Sequence, residues 1–101
     1  MDLFSDVDGT LLLYGKDGVR FPNRPLIAAI KSWQEAHPFD HVTVWSRAGL
    51  AHARMAARLI PGARVAVKDY RVLRPNDVAV DDAKLGVPSQ VITPQAFVRG
   101  S

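Results

Sequence analysis

The chain has 101 residues and no cysteine, which excludes disulfide bonds, thiolate catalysis and cysteine-based zinc sites. Its 48% hydrophobic and 23% charged residues are typical of a globular protein and argue against disorder. Nine arginines and four lysines outweigh ten acidic residues to give a net charge of +3, which favours anionic ligands but does not by itself predict a nucleic-acid binder. This length suits one domain, residues 1–101.

The hydropathy of the chain bears on its location. Met1 is followed at once by acidic Asp2, without the basic segment and long apolar run of a signal peptide. No apolar run approaches the length needed to span a bilayer. We therefore expect a cytoplasmic protein with no membrane partner.

The first predicted element is a short buried strand that ends in an acidic loop, Ser-Asp-Val-Asp-Gly-Thr at residues 5–10. Because a strand has a period of two, Asp6 and Asp8 are expected to point the same way. Two such charges are tolerated when a cation lies between them or when one stays protonated. Gly9 permits a sharp turn, and Thr10 offers a hydroxyl beside it. A bare pair of aspartates at this spacing usually marks a polar turn, whereas the full string of residues 6–12 predicts a chemically active site.

A hairpin and a helix come next. Apolar residues 11–14 and 19–21 flank a Gly-Lys-Asp-Gly turn, which predicts a β-hairpin. This hairpin begins directly beside Asp8, so it is a candidate flap over the acidic loop. Residues 23–25 give a helix start with a proline in the first turn, and apolar residues then recur at helical spacing until Pro38.

The remaining chain alternates further strands with one more helix. The predicted segments are a strand over residues 41–45, a helix over 48–60, strands over 65–67, 78–80 and 90–92, and a short terminal segment over 94–97. Short apolar strands that alternate with helices predict an α/β fold, with a single Rossmann-like, mostly parallel sheet of about five strands that is covered on both faces and flanked by helices.

Polar side chains follow the predicted strands, and in such sheets ligands bind at the carboxyl ends of the strands. The residues that this rule gathers are Asp6, Asp8, Ser46, Lys68, Asp81 and Asp82. Several converging carboxylates need a hard divalent cation, for which Mg²⁺ is the natural choice, and Mg²⁺ in turn favours a phosphorylated substrate. Ser46 can bond a phosphate oxygen, and Lys68 can offset the negative charge. Without cysteine, and with no histidine evidently paired to Ser46, a carboxylate is left as the nucleophile.

Taken in order, these residues resemble the four motifs of the haloacid dehalogenase (HAD) superfamily over nearly the whole chain. Residues 6–10 resemble motif I, residues 44–46 motif II, Lys68 motif III and residues 80–82 motif IV. Motif I is highly specific and motif IV moderately so. A single serine and a single lysine support the resemblance only because they follow the order of the motifs.

The resemblance implies a role for each matching residue. Asp6 would attack phosphorus, and Asp8 would protonate the leaving oxygen and later activate water, so Asp8 must be able to hold a proton. Mg²⁺ would be held by the Asp6 carboxylate, the main-chain carbonyl of Asp8 and either Asp81 or Asp82. The predicted catalytic residues are Asp6, Asp8, Ser46 and Lys68, and the predicted substrate-binding residues are Gly9, Thr10, Ser46 and Arg47.

The motif III lysine leaves alternatives open. The family commonly places it before a helix, whereas residues 69–77 are short and interrupted by proline. Lys68 is the preferred assignment, and Arg71, Arg74 or Lys84 could take its place.

The spacing of the motifs also leaves no room for a cap domain. The first interval holds only the hairpin and one helix, and the second holds one helix and a short strand. Capless members of the family include enzymes that act on large or extended phosphorylated substrates, and small ones that hydrolyse small phosphate esters.

Other polar residues have plainer interpretations. Arg47, Arg54 and Arg58 fall on one helix face, and a solvated face is the favoured interpretation of the last two, while Arg47 adjoins Ser46 and stays open. The histidines show no metal-ligand spacing, so structural or surface roles are expected for them. They are His37, His41 and His52.

The function expected from these residues is Mg²⁺-dependent phosphate monoester hydrolysis through an aspartyl-phosphate, on a small molecule or a polymer end. A nucleic-acid end phosphatase and a non-catalytic phosphate-binding module of the same fold are the alternatives. A receiver-like signalling domain is disfavoured by chain order, because the acidic pair comes last here and the acceptor aspartate comes first. The sequence does not identify the substrate or the oligomeric state.

Overall fold

A parallel sheet of five strands forms the centre of the molecule in a computed structural model that describes residues 1–83 and 85–101. The elements in chain order are β1 (Leu3–Ser5), β2 (Leu12–Tyr14), β3 (Arg20–Pro22), α1 (Arg24–Ala36), β4 (Val42–Ser46), α2 (Leu50–Ala57), β5 (Arg64–Val67), a 3₁₀ turn (Tyr70–Val72), β6 (Val78–Val80), β7 (Val91–Ile92) and α3 (Pro94–Arg99). The spatial order of the sheet is β5-β4-β1-β6-β7, and every pairing in it is parallel. The predicted α/β fold with a parallel sheet of about five strands is confirmed.

The hairpin is a separate antiparallel pair, β2 and β3, that follows β1 directly. Its turn is closed by the N–H of Gly15, which donates to the carbonyl of Val19 at 2.8 Å, and Gly18 supplies the positive φ of +80° that the turn requires. Tyr14, Val19 and Phe21 are exposed on it. The predicted β-hairpin is therefore present, with its strands shifted by about a residue.

The helices begin where their capping residues allow. At α1 the side chain of Asn23 accepts a hydrogen bond from the N–H of Leu26, and Pro25 occupies the first turn. The second helix is shorter than the predicted residues 48–60 at both ends. It begins only after Gly49, which has a φ of +112°, and it ends at Ala57. None of the helices in the described ranges combines the length and the apolar character needed to cross a membrane.

The helices pack on one face of the sheet. Side chains of β1, β4 and β6 that share this face form one core cluster with Leu26 and Ile30 of α1, Ala53 of α2 and Phe97 of α3. The opposite face carries a smaller aromatic cluster that is covered by Tyr70 and by residues near it. Both faces are covered as predicted, but the second is covered by a turn and not by a helix.

Chain direction explains this asymmetry. The connections from β1 to β4 and from β4 to β5 step toward one edge of the sheet, whereas the connection from β5 to β6 returns across it. Right-handed crossovers that run in opposite directions lie on opposite faces. The returning segment, residues 68–77, holds only the 3₁₀ turn, so it brings no α-helix to the second face.

Candidate functional site

The register of the sheet places the ends of β1 and β6 side by side. Ser5 pairs with Val80, and the N–H of Asp6 donates to the carbonyl of Val80 at 3.0 Å. Asp6 and Asp81 therefore leave the sheet at the same level on its carboxyl edge. This is the edge where parallel sheets bind ligands.

Three carboxylates meet at this edge. Asp6, Asp81 and Asp82 each offer an oxygen atom, and these atoms lie within 4.8 Å of one another. Lys68 joins them from the end of β5, with its Nζ 3.5 Å from Asp6 Oδ1 and in direct contact with Asp81 Oδ2. Only 8% of the Lys68 side chain is exposed, so its charge is directed into the acidic group and not into solvent.

Burial and charge set the protonation of the group. Burial, reinforced by the charge of Asp81, raises the pKa of Asp6 to about 6. Burial also acts to raise the pKa of Asp81, but hydrogen bonds from Lys68 and from the N–H of Ala83 outweigh it and lower that pKa. Burial acts to lower the pKa of Lys68, but its contacts with Asp81 and Asp6 raise it. Lys68 is therefore held as an ammonium ion.

The donor set fits a hard divalent cation. One ammonium group faces three carboxylates, so the group carries excess negative charge when all three are ionised. Burial, together with that excess charge, raises the pKa of Asp6. Carboxylate oxygens are the ligands that Mg²⁺ prefers, so Asp6 with Asp81 or Asp82 suits it.

Gly9 shapes the loop against the acidic group. It has a φ of +75°, and a Cβ atom at this position would lie 2.8 Å from Cγ of Asp82, closer than side chains tolerate. The loop therefore approaches Asp82 in a way that only glycine permits. Its predicted contact with substrate stays a prediction.

Asp8 contacts other residues than those of this acidic group. Its Oδ2 is 2.9 Å from Nε2 of His52, and its Oδ1 is 3.3 Å from a guanidinium nitrogen of Arg20. β1 ends at Ser5, before either aspartate, so the strand period of two does not apply to this pair, and their expected common direction stays a prediction. The resemblance assigns the carbonyl of Asp8 to the metal, and that assignment stays a prediction.

Ser46 is the last residue of β4 and is buried. Its Oγ accepts a hydrogen bond from the N–H of Ala48 at 3.0 Å, so the hydroxyl proton stays available to donate to a phosphate oxygen. The neighbouring Arg47 is exposed, and its guanidinium carbon lies 5.9 Å from the centre of the Tyr70 ring. Both residues stay predicted substrate ligands.

Thr10 is fully buried. Its carbonyl accepts a hydrogen bond from Asn23, and among the residues that the structure describes its hydroxyl has no partner. The hydrogen bond between Thr10 and Asn23 thus connects the loop to the start of α1. A direct contact of its hydroxyl with substrate stays a prediction.

Tyr70 completes the acidic group from the 3₁₀ turn. Its hydroxyl donates to Asp81 Oδ2 at 2.8 Å, and its ring meets buried Trp45 edge-on at 6.0 Å between centroids. Sequence reasoning missed this residue because it lies in a segment without helix or strand periodicity. Sequence reasoning also missed His52, because the spacing of the histidines was considered only for metal binding.

The alternatives to Lys68 lie elsewhere or outside the described residues. Arg71 pairs with Asp69 on the surface, and Arg74 contacts Asp2 and Asp77. The remaining alternative, Lys84, lies outside the described residues. Arg54 and Arg58 are exposed, as expected of a solvated helix face.

Comparison with known proteins gives no family for this chain. No family model, no curated protein and no solved structure matches it. The HAD resemblance therefore depends on the ordered motifs of the sequence and stays a prediction.

Proposed function

We propose that this protein is a capless HAD-type phosphatase that hydrolyses phosphate monoesters with Mg²⁺ through a phosphoenzyme on Asp6. The observation that carries the proposal is the contact of Lys68 with both Asp6 and Asp81 inside a group of three carboxylates. An ordinary surface ion pair does not require three carboxylates to lie around one lysine. A nucleophilic carboxylate that receives a dianionic phosphoryl group does need a nearby cation.

In the first step of the proposed reaction, a carboxylate oxygen of Asp6 attacks phosphorus. The bond from phosphorus to the ester oxygen breaks, and its electron pair stays on that oxygen, which takes a proton from the carboxyl group of Asp8. In the second step Asp8 accepts a proton from water as the water oxygen attacks phosphorus. Inorganic phosphate leaves, Asp6 is restored as a carboxylate and Asp8 is protonated again.

The surrounding residues supply charge and hydrogen bonds. The Lys68 ammonium offsets charge on Asp6 and on the transferring group, and the Ser46 hydroxyl donates to a phosphate oxygen. Mg²⁺, held by Asp6 and by Asp81 or Asp82, would add positive charge where the carboxylates and the phosphate meet. With a pKa of about 6, Asp6 is mostly ionised at neutral pH even before a cation binds.

The site is open in a way that suits a capless enzyme. Between β1 and β4 the chain forms only the hairpin and α1, and between β4 and β5 it forms only α2. The hairpin reaches Asp8 through Arg20 and is the flap that this interval provides. In these two intervals of the described chain, extended phosphorylated substrates therefore meet no cap domain.

The test compares the wild-type protein with Asp6→Asn on an aryl phosphate and on oligonucleotides with 3′ or 5′ phosphate ends, with Mg²⁺ and with a chelator. Asp40→Asn is the matched control, because Asp40 precedes β4 at the opposite end of the strands and pairs with the chain terminus. We expect Mg²⁺-dependent release of phosphate by the wild type and by Asp40→Asn, and a loss of at least about 10³-fold in Asp6→Asn.

Each other outcome has a definite meaning. Turnover that survives chelation or the Asp6→Asn substitution contradicts the mechanism. Turnover of the oligonucleotides alone identifies a nucleic-acid end phosphatase. Binding of phosphate without turnover of any substrate rejects hydrolysis in favour of a phosphate-binding module.

A further inference from the structure

The two carboxylate oxygens of Asp8 have different surroundings. Oδ2 lies 2.9 Å from Nε2 of His52, within hydrogen-bond distance. Oδ1 lies 3.3 Å from Arg20, which makes an ion pair without hydrogen-bond geometry. Within residues 1–83 and 85–101, Oδ1 is a buried oxygen with no hydrogen-bond partner. One oxygen of Asp8 is thus hydrogen-bonded by His52, and the other has only the ion pair with Arg20.

His52 reaches Asp8 from a rigid element. It belongs to the first turn of α2, next to Ala53, which is fully buried in the core, and the N–H of Ala53 bonds the carbonyl of Gly49 at 3.1 Å. The helix packs on β4 and β5. A side chain on a packed helix fixes a partner more precisely than one on a loop.

Arg20 holds the other oxygen less firmly. It extends from β3 of the exposed hairpin, and 41% of its side chain is accessible, against 19% for His52. Its charge attracts the carboxylate, but without a hydrogen bond it does not fix the orientation of the carboxyl plane. The orientation of Asp8 is therefore set by His52.

We propose that His52 is the positioning residue for protonation of the leaving group, an inference that rests on the proposed hydrolase function. The N–H at Nε2 donates to Asp8 Oδ2 and fixes the plane of the carboxyl group, so that Oδ1 is the atom that protonates the leaving ester oxygen. The proton on Oδ1 then passes to that oxygen as its bond to phosphorus breaks and the electron pair stays on oxygen. His52 neither gains nor loses a proton in this step.

Leaving groups that differ in their need for a proton test this role. Dinitrophenolate leaves as a stable anion, whereas phenolate needs protonation, so dinitrophenyl phosphate and phenyl phosphate form the substrate pair. We compare kcat/KM, which reports the step in which the ester bond breaks. His52→Ala is expected to lower kcat/KM on phenyl phosphate about 10- to 100-fold, and on dinitrophenyl phosphate less than about threefold.

Two further variants separate positioning from packing. His52→Gln keeps an N–H donor and is expected to recover most of the activity on phenyl phosphate. His52→Leu fills the space without a donor and is expected to show the same selective loss as His52→Ala, which keeps the test valid if the alanine variant does not fold. Arg54→Ala, an exposed change on the same helix, is the matched control with no expected effect.

The results distinguish this inference from the proposed function. A wild type that turns over neither phosphate ester with Mg²⁺ overturns the function and the inference together. An active wild type whose His52 variants lose activity equally on both esters overturns the inference alone. Failure of His52→Gln to exceed His52→Leu on phenyl phosphate overturns it as well.

Discussion

The two aspartates of one short loop have opposite surroundings. Asp6 is buried beside two other carboxylates and a lysine, whereas Asp8, with 35% of its side chain exposed, contacts a histidine and an arginine. Burial and neighbouring negative charge make ionisation of Asp6 costly without a cation, while each oxygen of Asp8 lies beside a basic side chain. Two residues of sequence separation thus suffice to create two chemical environments, and the proposed mechanism assigns the two aspartates different tasks.

The largest expected difference comes from removing the cation of each aspartate. Lys68→Met leaves Asp6 and Asp81 facing each other without an ammonium group, so we expect a loss of about 3 kcal/mol in the free energy of unfolding without Mg²⁺. Arg20→Met removes an exposed pair from Asp8 and should cost less than about 1 kcal/mol. Urea denaturation in a chelator measures both, and equal losses would show that the two environments are alike.

A substitution at Gly9 tests how tightly the loop meets the acidic group. Gly9→Ala combines a strained φ with a close contact to Asp82, so it should lower the free energy of unfolding by about 1–3 kcal/mol and weaken Mg²⁺ binding. Gly18→Ala is the control, because Gly18 has a similar φ of +80° and no atom near its Cβ position. Denaturation and calorimetric titration with Mg²⁺ measure the effects. Equal Mg²⁺ affinity in the two variants would contradict a role for the contact with Asp82.

Replacing each aspartate by asparagine should change stability in opposite directions. Without Mg²⁺ at neutral pH, Asp6→Asn removes a buried charge and is expected to stabilise the fold by roughly 1–3 kcal/mol. Asp8→Asn weakens the contacts with His52 and Arg20 and is expected to destabilise it by up to about 1 kcal/mol. Thermal or urea unfolding checks both signs, and stabilisation by both substitutions would refute the contrast.

The Asp6 effect also has a defined pH dependence. The pKa of Asp6 rises from 3.8 to about 6 in the folded protein, so the folded state binds this proton more tightly than the unfolded chain. The relative stability that this gives is present below pH 3.8 and is lost as the pH rises through about 6. The advantage of Asp6→Asn over the wild type should therefore grow between these values and then level off. A difference that is constant over this range would contradict the assignment.

A small effect is also expected at Tyr70. Tyr70→Phe removes one hydrogen bond to Asp81 and keeps the ring against Trp45, so we expect a loss of about 1 kcal/mol in the free energy of unfolding and weaker Mg²⁺ binding. Tyr14→Phe, on the exposed hairpin, is the matched control. Calorimetric titration with Mg²⁺ compares the two. An unchanged Mg²⁺ affinity in Tyr70→Phe would show that Tyr70 does not contribute to the site.

Patterns that repeat along the chain predicted the fold and the acidic group. Asp6 and Asp81 each follow an apolar strand, and parallel strands bring their carboxyl ends together, so their meeting follows from sequence. His52 lies 44 residues from Asp8, and nothing in its neighbourhood in sequence identifies that partner. Tyr70 lies in a turn whose position depends on the return of the chain across the sheet. Contacts between segments that lack periodicity become visible only in three dimensions.

The aromatic cluster on the face without helices has an optical consequence. Trp45 is fully buried, lies 4.5 Å from Phe4 between ring centroids and meets the ring of Tyr70, whose hydroxyl bonds Asp81. We expect a ligand that shifts Asp81 to shift the Tyr70 ring against Trp45 as well. The indole emission of Trp45 is then expected to report on the acidic group, so that cation binding can be followed without a substrate or an added dye.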